Sequence, residues 1–169
     1  MKNKALALLI GITCAQVFAT KLSDTVLLVT IPKCGTHLLI KTIKLMTKKM
    51  VYYLGDMGMP RILTKAGLQQ SLKNNKPYVH GHLPASKNNM DLTAHHKLKV
   101  IFIYRDPRDQ VVSLKYHNQG NAPPFGHRGR DLDKMIPRVT SFFSEFLQWQ
   151  NHPCVYTTKF ESLVGSKGG

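Results

Sequence analysis

The stretch Thr25-Val-Leu-Leu-Val-Thr-Ile-Pro-Lys-Cys-Gly-Thr36 decides the fold of this 169-residue chain. Its first seven residues form a short, β-branched apolar run that Pro32 stops, which predicts a buried strand at the centre of a parallel sheet. After the turn at residues 33–36, apolar residues recur at helical spacing beside several lysines. This pattern predicts a helix with a basic exposed face. The stretch therefore predicts a strand, a glycine turn and a helix in succession.

Further strands and helices are predicted along the rest of the chain. We expect strands at Tyr78–Leu83, Lys99–Tyr104 and Cys154–Thr158, and helices at Thr64–Leu72, Asp91–His96, Asp109–His117 and Leu132–Trp149. Asn118–Arg130 has the composition of a loop. The order predicts an α/β, P-loop-like three-layer fold, in which helices flank a mostly parallel central sheet.

The turn after the first strand is a candidate phosphate site. A strand that leads through such a turn into a helix presents backbone amides and a positive helix end to an anion. Gly35 permits the tight bend, Lys33 supplies a charge and Thr36 supplies a hydroxyl donor. The turn is shorter than the G-x-x-x-x-G-K-[ST] loop, which argues against an ATPase or a P-loop kinase. A plain βα turn that needs only Gly and Pro would also fit these residues.

Arg105 and Ser113 form a second candidate anion site. Arg105 follows a predicted strand, and Ser113 lies eight positions later near the start of a predicted helix, where open α/β sheets bind ligands. An arginine fork and a serine hydroxyl together suit a further phosphate. Alternatively, Arg105 pairs with Asp106 or Asp109 in an ordinary surface cluster.

Four segments resemble the cytosolic-type sulfotransferases, which use 3′-phosphoadenosine 5′-phosphosulfate (PAPS). Thr30-Ile-Pro-Lys-Cys-Gly-Thr-His37 is similar to their phosphosulfate loop Y-P-K-S-G-T-[TS]-W. Phe102–Ser113 is similar to their 3′-phosphate element, a strand followed by R-N-P-[KR]-D and a serine. His80-Gly-His-Leu-Pro84 resembles their T-H-L-P segment, and Val155–Leu163 resembles the strand and Y-E-D-[LM] segment. The four segments lie in the family's order.

The resemblance implies transfer of a sulfuryl group from PAPS, as co-substrate, to a hydroxyl or amine of a small-molecule or glycan acceptor. The loop would hold the 5′-phosphosulfate and neutralise charge as the sulfuryl group leaves, and the second element would bind the 3′-phosphate. No metal is expected. The donor-site residues implied in this way are Lys33, Cys34, Gly35, Thr36, His37, Arg105 and Ser113.

The resemblance also implies a catalytic base. That role falls on His82, and imidazole suits it because its ordinary pKa of about 6.5 lies near neutral pH. Lys33 is the second residue implied in catalysis. His80 is the competing base if the register is shifted by two residues.

The chain departs from the family pattern at three places. Cys34 replaces a serine, which weakens a hydroxyl contact. His37 and Leu38 stand where the family has threonine or serine and then a tryptophan that stacks on the adenine. The family continues to an R-K-G-x-x-G segment that this sequence does not contain. We therefore expect residues 20–169 to form only the N-terminal two thirds of a sulfotransferase domain, and an inactive truncated relative is an alternative.

Residues 1–19 have the pattern of a secretory signal peptide. Lys2 and Lys4 precede an apolar stretch, and Val17-Phe-Ala19 is a small-residue exit of the kind that signal peptidase cleaves. The apolar part is too short for a stable membrane span. We expect an exported or luminal protein, or a cytoplasmic one if this segment is not a signal.

The charge balance is also compatible with a function other than catalysis. The chain has 24 Lys and Arg residues against 9 Asp and Glu, a formal net charge of +15, which favours an anionic partner. A non-catalytic basic module that binds nucleic acid or other polyanions is therefore the alternative. Specific nucleic-acid binding is not expected, because neither a base-stacking motif nor a DNA-reading helix stands out.

The cysteines predict neither a zinc site nor a disulfide framework, because Cys14, Cys34 and Cys154 lie far apart without a C-x-x-C pair. A bond between Cys34 and Cys154 stays open at this point. So do the oligomeric state and the identity of the acceptor, which residues 52–76 and 118–130 would shape.

Overall fold

A parallel β-sheet forms the centre of the molecule. The computed structural model describes residues 24–54, 65–117 and 132–165. Its five strands are β1 (Val26–Thr30), β2 (Val51–Tyr53), β3 (Tyr78–Gly81), β4 (Lys99–Tyr104) and β5 (Val155–Lys159), in the spatial order β2-β3-β1-β4-β5. Every pair of neighbouring strands among them is parallel. The predicted α/β class is confirmed.

Helices connect the strands. They are α1 (Thr36–Thr47), α2 (Lys65–Lys73), α3 (Lys87–His95), α4 (Pro107–His117), α5 (Leu132–Leu147) and α6 (Phe160–Val164), with a 3₁₀ turn at Gln148–Asn151. The two faces of the sheet pack against different helices. On one face, Leu28 shares a cluster with Ile43 of α1, and on the other, Leu27 shares a cluster with Phe142 of α5 and Trp149. This is the predicted three-layer arrangement.

Strand β1 lies in the middle of the sheet and is buried along its whole length. Neighbouring strands cover its two edges and helices cover its two faces. A strand in this position needs apolar residues on both sides, which explains the unbroken run that begins at Thr25. The prediction of a buried, central parallel strand is confirmed.

Three of the differences from the predictions have a clear physical reason. Strand β2 was not predicted because only Val51 of its three residues is buried, which leaves too few apolar positions for a pattern. Helix α3 begins at Lys87 rather than Asp91, because the Ser86 side chain accepts a hydrogen bond from the Asn89 amide and caps the helix there. Helix α4 begins at Pro107, since proline is well tolerated in the first helical turn.

Two predicted segments, the signal peptide at residues 1–19 and the loop at 118–130, lie outside the described residues. Within the described segments, no helix combines the length and the apolar character needed to cross a membrane. Both cysteines of these segments, Cys34 and Cys154, are thiols rather than halves of a disulfide.

A buried histidine joins α3 to the segment before β5. His152 is 4% exposed, its Nδ1 accepts a hydrogen bond from the Cys154 amide at 3.2 Å, and its Nε2 lies 3.0 Å from Thr93 Oγ1. Because Nδ1 accepts, the ring proton sits on Nε2 and donates to Thr93. Burial lowers the pKa of His152 from 6.5 to about 4, so the folded protein holds the neutral ring.

This histidine should make the fold sensitive to acid. The unfolded chain takes up a proton at this side chain as the pH falls below 6.5, whereas the folded chain resists protonation until about pH 4. The contribution to stability is therefore complete above pH 6.5 and is lost between pH 6.5 and pH 4. We expect the free energy of unfolding, measured with urea, to fall by up to about 1.4 kcal/mol per pH unit through this group.

The substitution His152→Gln should flatten this part of the profile, since glutamine can bond to the same partners without titrating. The exposed His95 provides the matched control, because His95→Gln should leave the slope unchanged. Equal slopes in both variants and in the unaltered protein would contradict this assignment.

Candidate functional site

The residues singled out from the sequence come together at one edge of the sheet. Thr36 opens α1 just after β1, His82 follows β3, and Arg105 follows β4. These three strands are neighbours, and Val29 of β1 lies beside Gly81 on one side and Phe102 on the other. Because the strands are parallel, their carboxyl ends share the edge at which open α/β sheets bind ligands.

The loop between β1 and α1 has an unusual backbone. Lys33 (φ 68°) and Gly35 (φ 92°) both adopt left-handed conformations, and the Cys34 amide donates to the Ile31 carbonyl at 3.1 Å. The loop thus turns sharply into α1, for which Gly35 is the N-cap residue. A glycine is needed at this position because side chains rarely tolerate such a φ value.

The N-terminus of α1 suits an anion. Gly35 has no side chain with which to cap the helix, and no acidic residue lies in the first turn. The first-turn amides have no acceptor within the helix, and the helix dipole adds partial positive charge there. The amides of Thr36 and His37 belong to this turn. A phosphate or sulfate is the natural partner for such a helix end.

The Cys34 side chain is part of the buried core beneath this edge. It is fully buried among the apolar residues of the core, and burial raises the pKa of its thiol to about 12. Its amide already bonds to Ile31. The structure therefore places Cys34 in the packing of the loop, and leaves ligand-facing groups to Lys33 and the first turn of α1.

A buried glutamine that the sequence analysis did not single out holds the loop. Gln110 of α4 is fully buried, and its Nε2 donates to the Pro32 carbonyl at 2.7 Å. This bond ties the loop to the helix that follows Arg105. The sequence could have indicated Gln110, because it is a polar residue that directly follows the R-D-P-R-D run at the start of α4.

Two cations meet beside the loop. Burial lowers the pKa of Lys33, and the nearby Arg105 guanidinium lowers it further. Arg105 is 24% exposed and forms a loose ion pair with Asp109 at 3.7 Å, and its buried Nε has no hydrogen-bond partner among the described residues. Asp106 pairs instead with Arg108 at 2.7 Å. The expected pairing of Arg105 with Asp109 is thus present, but it is too long for a hydrogen bond. The Arg105 guanidinium therefore keeps hydrogen-bonding capacity that an anion could use.

Ser113 lies on the same helix as Gln110. Because α4 begins at Pro107, Ser113 falls in its second turn rather than at its start, and it is partly buried. The Arg105 guanidinium lies 4.6 Å from the centre of the Phe160 ring, at the start of α6. A residue from the C-terminal part of the described chain, Phe160, therefore helps to position the Arg105 side chain.

The two histidines after β3 occupy different environments. His82 Nδ1 lies 2.8 Å from the Thr30 carbonyl oxygen, so Nδ1 carries the proton and Nε2 keeps its lone pair. Burial lowers the pKa of His82, the bond to Thr30 opposes this effect, and His37 adds to the lowering. His80 is 2% exposed, and burial lowers its pKa to about 3. His82 is therefore the more accessible and more basic of the two.

In the described part of the chain, no group of three or more His, Cys, Asp or Glu side chains converges.

The sequence profile of the sulfotransferase domain family matches residues 23–165. The match extends over most of the chain, which therefore belongs to the sulfotransferase domain family. No curated protein sequence matches the chain significantly.

Solved structures share the architecture. Mouse sulfotransferase SULT7A1, in complex with PAP, aligns with a TM-score of 0.59 and 18% identity over 92% of this chain and 57% of that one. Shikimate kinase from Bacteroides thetaiotaomicron aligns with a TM-score of 0.51 and 14% identity over 84% of this chain and 89% of that one. The chain thus has a fold shared by sulfotransferases and P-loop kinases, and spans 57% of the length of the mouse sulfotransferase.

The close fit of Gly35 against Phe160 can be tested by adding one methyl group. A Cβ at Gly35 would collide with the Phe160 ring and would also strain the positive φ. We expect Gly35→Ala to reduce the free energy of unfolding by more than the roughly 1–3 kcal/mol of backbone strain alone. Urea unfolding measures the loss.

Gly165→Ala is the matched control, because Gly165 also has a positive φ (83°) but a Cβ there would meet nothing within 4 Å. Combining Gly35→Ala with Phe160→Ala should cost less than the sum of the single changes, since the collision disappears. Equal losses at Gly35 and Gly165 would show that the Phe160 contact does not matter.

Proposed function

We propose that the chain binds PAPS at the β1–α1 loop and transfers its sulfuryl group to a hydroxyl or amine acceptor. The observation that carries the proposal is the uncapped helix N-terminus beside two crowded cations, Lys33 and Arg105. Without an anion, the two cations repel one another, and the first-turn amides have no acceptor within the helix. A ligand with phosphate and sulfate groups would relieve both conditions.

The donor would be held at two points. The amides of Gly35, Thr36 and His37, with the Lys33 ammonium and the Thr36 hydroxyl, would bind the 5′-phosphosulfate. Arg105 and Ser113 would bind the 3′-phosphate and so distinguish PAPS from a nucleotide that lacks it. This division follows the resemblance of the two segments to the sulfotransferase family, and the mouse neighbour that shares the fold was solved with PAP.

The transfer needs a base and a stabilised leaving group. His82 Nε2 would take the proton of the acceptor hydroxyl or amine as its oxygen or nitrogen forms a bond to sulfur. The bond between sulfur and the 5′-phosphate oxygen breaks, and the leaving phosphate oxygen gains negative charge. Lys33 and the α1 amides would stabilise that charge.

The protonation state of His82 supports this role. The Thr30 carbonyl holds the ring with its proton on Nδ1, and the lowered pKa keeps the ring neutral near pH 7. A neutral imidazole with an available nitrogen is the form that a general base requires. His80 does not fit the role as well, because it is 2% exposed and its Nε2 lies 2.9 Å from Thr30 Oγ1.

Donor binding should depend on the 3′-phosphate and on Arg105. Titration of the protein with 3′-phosphoadenosine 5′-phosphate (PAP) in a calorimeter, at one fixed salt concentration, should give a much lower Kd than titration with adenosine 5′-phosphate. Arg105→Ala should weaken PAP binding by roughly 10- to 150-fold, the equivalent of one charge-assisted hydrogen bond. The same change should leave the affinity for adenosine 5′-phosphate nearly unaltered.

Arg108→Ala is the matched control, since Arg108 is an exposed arginine three residues away that pairs with Asp106. Equal, weak and salt-sensitive binding of every nucleotide, with Arg105 and Arg108 equivalent, would refute the donor site. That result would favour a basic module that binds polyanions.

Loss of the base should slow transfer without loss of the donor. His82→Asn can keep a donor near the Thr30 carbonyl but has no equivalent of Nε2. We expect it to lower the rate of radiolabelled sulfate transfer, measured over a panel of phenol, alcohol and amine acceptors, by about 10²- to 10⁴-fold. PAP affinity should stay within about twofold. His95→Asn, at an exposed site on α3, is the control, and an equally active His82→Asn variant would exclude the proposed base.

A further inference from the structure

We propose that the Thr30 hydroxyl is a positioning group that links occupancy of the donor loop to the histidine pair His80 and His82. The inference rests on the proposed function, because it requires an anion at Thr36. Thr30 is the last residue of β1 and is fully buried. It lies directly between the loop and the end of β3.

Thr30 Oγ1 is within hydrogen-bond distance of three side chains. It lies 2.8 Å from Thr36 Oγ1, 2.9 Å from His80 Nε2 and 3.1 Å from His82 Nδ1. A hydroxyl has one hydrogen to donate and two lone pairs to accept with. Three partners therefore saturate the Thr30 hydroxyl, and the direction of one bond restricts the directions of the others.

The bond to His82 has only one direction. His82 Nδ1 also lies 2.8 Å from the Thr30 carbonyl, which can only accept, so His82 Nδ1 donates to both Thr30 oxygens. The Thr30 hydroxyl then has one hydrogen and one lone pair for Thr36 and His80. It donates to one of them and accepts from the other.

Two arrangements result. In the first, His80 Nε2–H donates to Thr30, Thr30 donates to Thr36, and the Thr36 hydrogen is available to an anion. In the second, Thr36 donates to Thr30 and Thr30 donates to His80, so the Thr36 hydrogen is already used. The two arrangements differ in the tautomer of His80 and leave its charge unchanged, since burial holds this ring neutral.

An anion on the loop selects the first arrangement. A phosphate or sulfate oxygen can only accept, so Thr36 must donate to it and must accept from Thr30. Thr30 must in turn accept from His80 Nε2–H. The second arrangement also places a proton on His80 Nδ1, a buried atom with no partner among the described residues, where an unsatisfied donor is costly. Donor binding thus fixes the His80 tautomer through Thr30, whose bond from His82 is the same in both arrangements.

The ring nitrogens can be observed directly. In protein labelled with ¹⁵N-histidine, long-range ¹H–¹⁵N spectra distinguish a protonated ring nitrogen from a bare one, and His80→Gln assigns the signals. We expect PAP to leave His80 protonated at Nε2 and bare at Nδ1, with His82 protonated at Nδ1. A proton on His80 Nδ1 in the PAP complex of the unaltered protein would overturn the inference.

Substitution of Thr30 gives the second readout. Thr30→Val keeps the shape and the backbone carbonyl but removes the hydroxyl, so PAP affinity should fall by about 3- to 10-fold, the value of one hydrogen bond. In this variant, PAP should no longer determine which ring nitrogen of His80 carries the proton. Thr30→Ser restores the hydroxyl and should restore both properties, which a role in packing alone does not predict.

Thr25→Val is the matched control. Thr25 precedes the opposite end of the same strand, is also buried, and donates through its hydroxyl to the Lys76 carbonyl at 2.9 Å. The Thr25→Val variant should be less stable, but it should keep its affinity for PAP and the effect of PAP on the His80 ring signals.

The outcomes separate the two proposals. If the unaltered protein does not bind PAP, the donor site fails and this inference fails with it. If PAP binds equally to the unaltered protein and to Thr30→Val, with the same His80 signals, only the role of Thr30 fails. If Thr30→Val does not fold, the spectra of the unaltered protein and of Thr30→Ser decide.

Discussion

The burial of β1 on all sides is the constraint on which the rest of the structure depends. Parallel strands cover both of its edges and helices cover both of its faces. The residues that follow β1 can therefore reach solvent only at the carboxyl end of the strand. The neighbouring strands β3 and β4 end at the same edge, because they run in the same direction. Residues far apart in the sequence, such as His82 and Arg105, are brought to the loop at Lys33 by this one arrangement.

The site at this edge combines polar groups from the core with charges at the surface. Gln110 and Thr30 are fully buried; Gln110 bonds to the loop at Pro32, and Thr30 bonds from β1 to His80 of β3. Buried polar groups of this kind define a geometry more strictly than apolar packing does, since a misplaced partner leaves a desolvated donor or acceptor. The charged residues Lys33 and Arg105 lie at the surface end of this buried polar framework, and both remain partly exposed.

The sequence was sufficient to predict the elements with a strong pattern. The strand Lys99–Tyr104 was predicted to the residue, because four consecutive core residues make an unmistakable apolar run. The candidate site residues were predicted from short motifs at strand ends, and the match to the sulfotransferase domain confirms the family that these motifs resemble. The sequence was not sufficient to predict the Gln110–Pro32 and Thr30–His80 bonds. These bonds join segments that meet only in the folded sheet, and no local pattern records them.

The position of Phe160 has a consequence for how the molecule is made. Its ring packs against Gly35 of the loop and under the Arg105 guanidinium, so residues from opposite ends of the described chain complete one another. During synthesis the loop leaves the ribosome early, whereas its packing partner leaves only after β5. Contacts of such long sequence separation form late in folding. The edge that carries Gly35 and Arg105 therefore reaches its final shape only after β5 and Phe160 have docked.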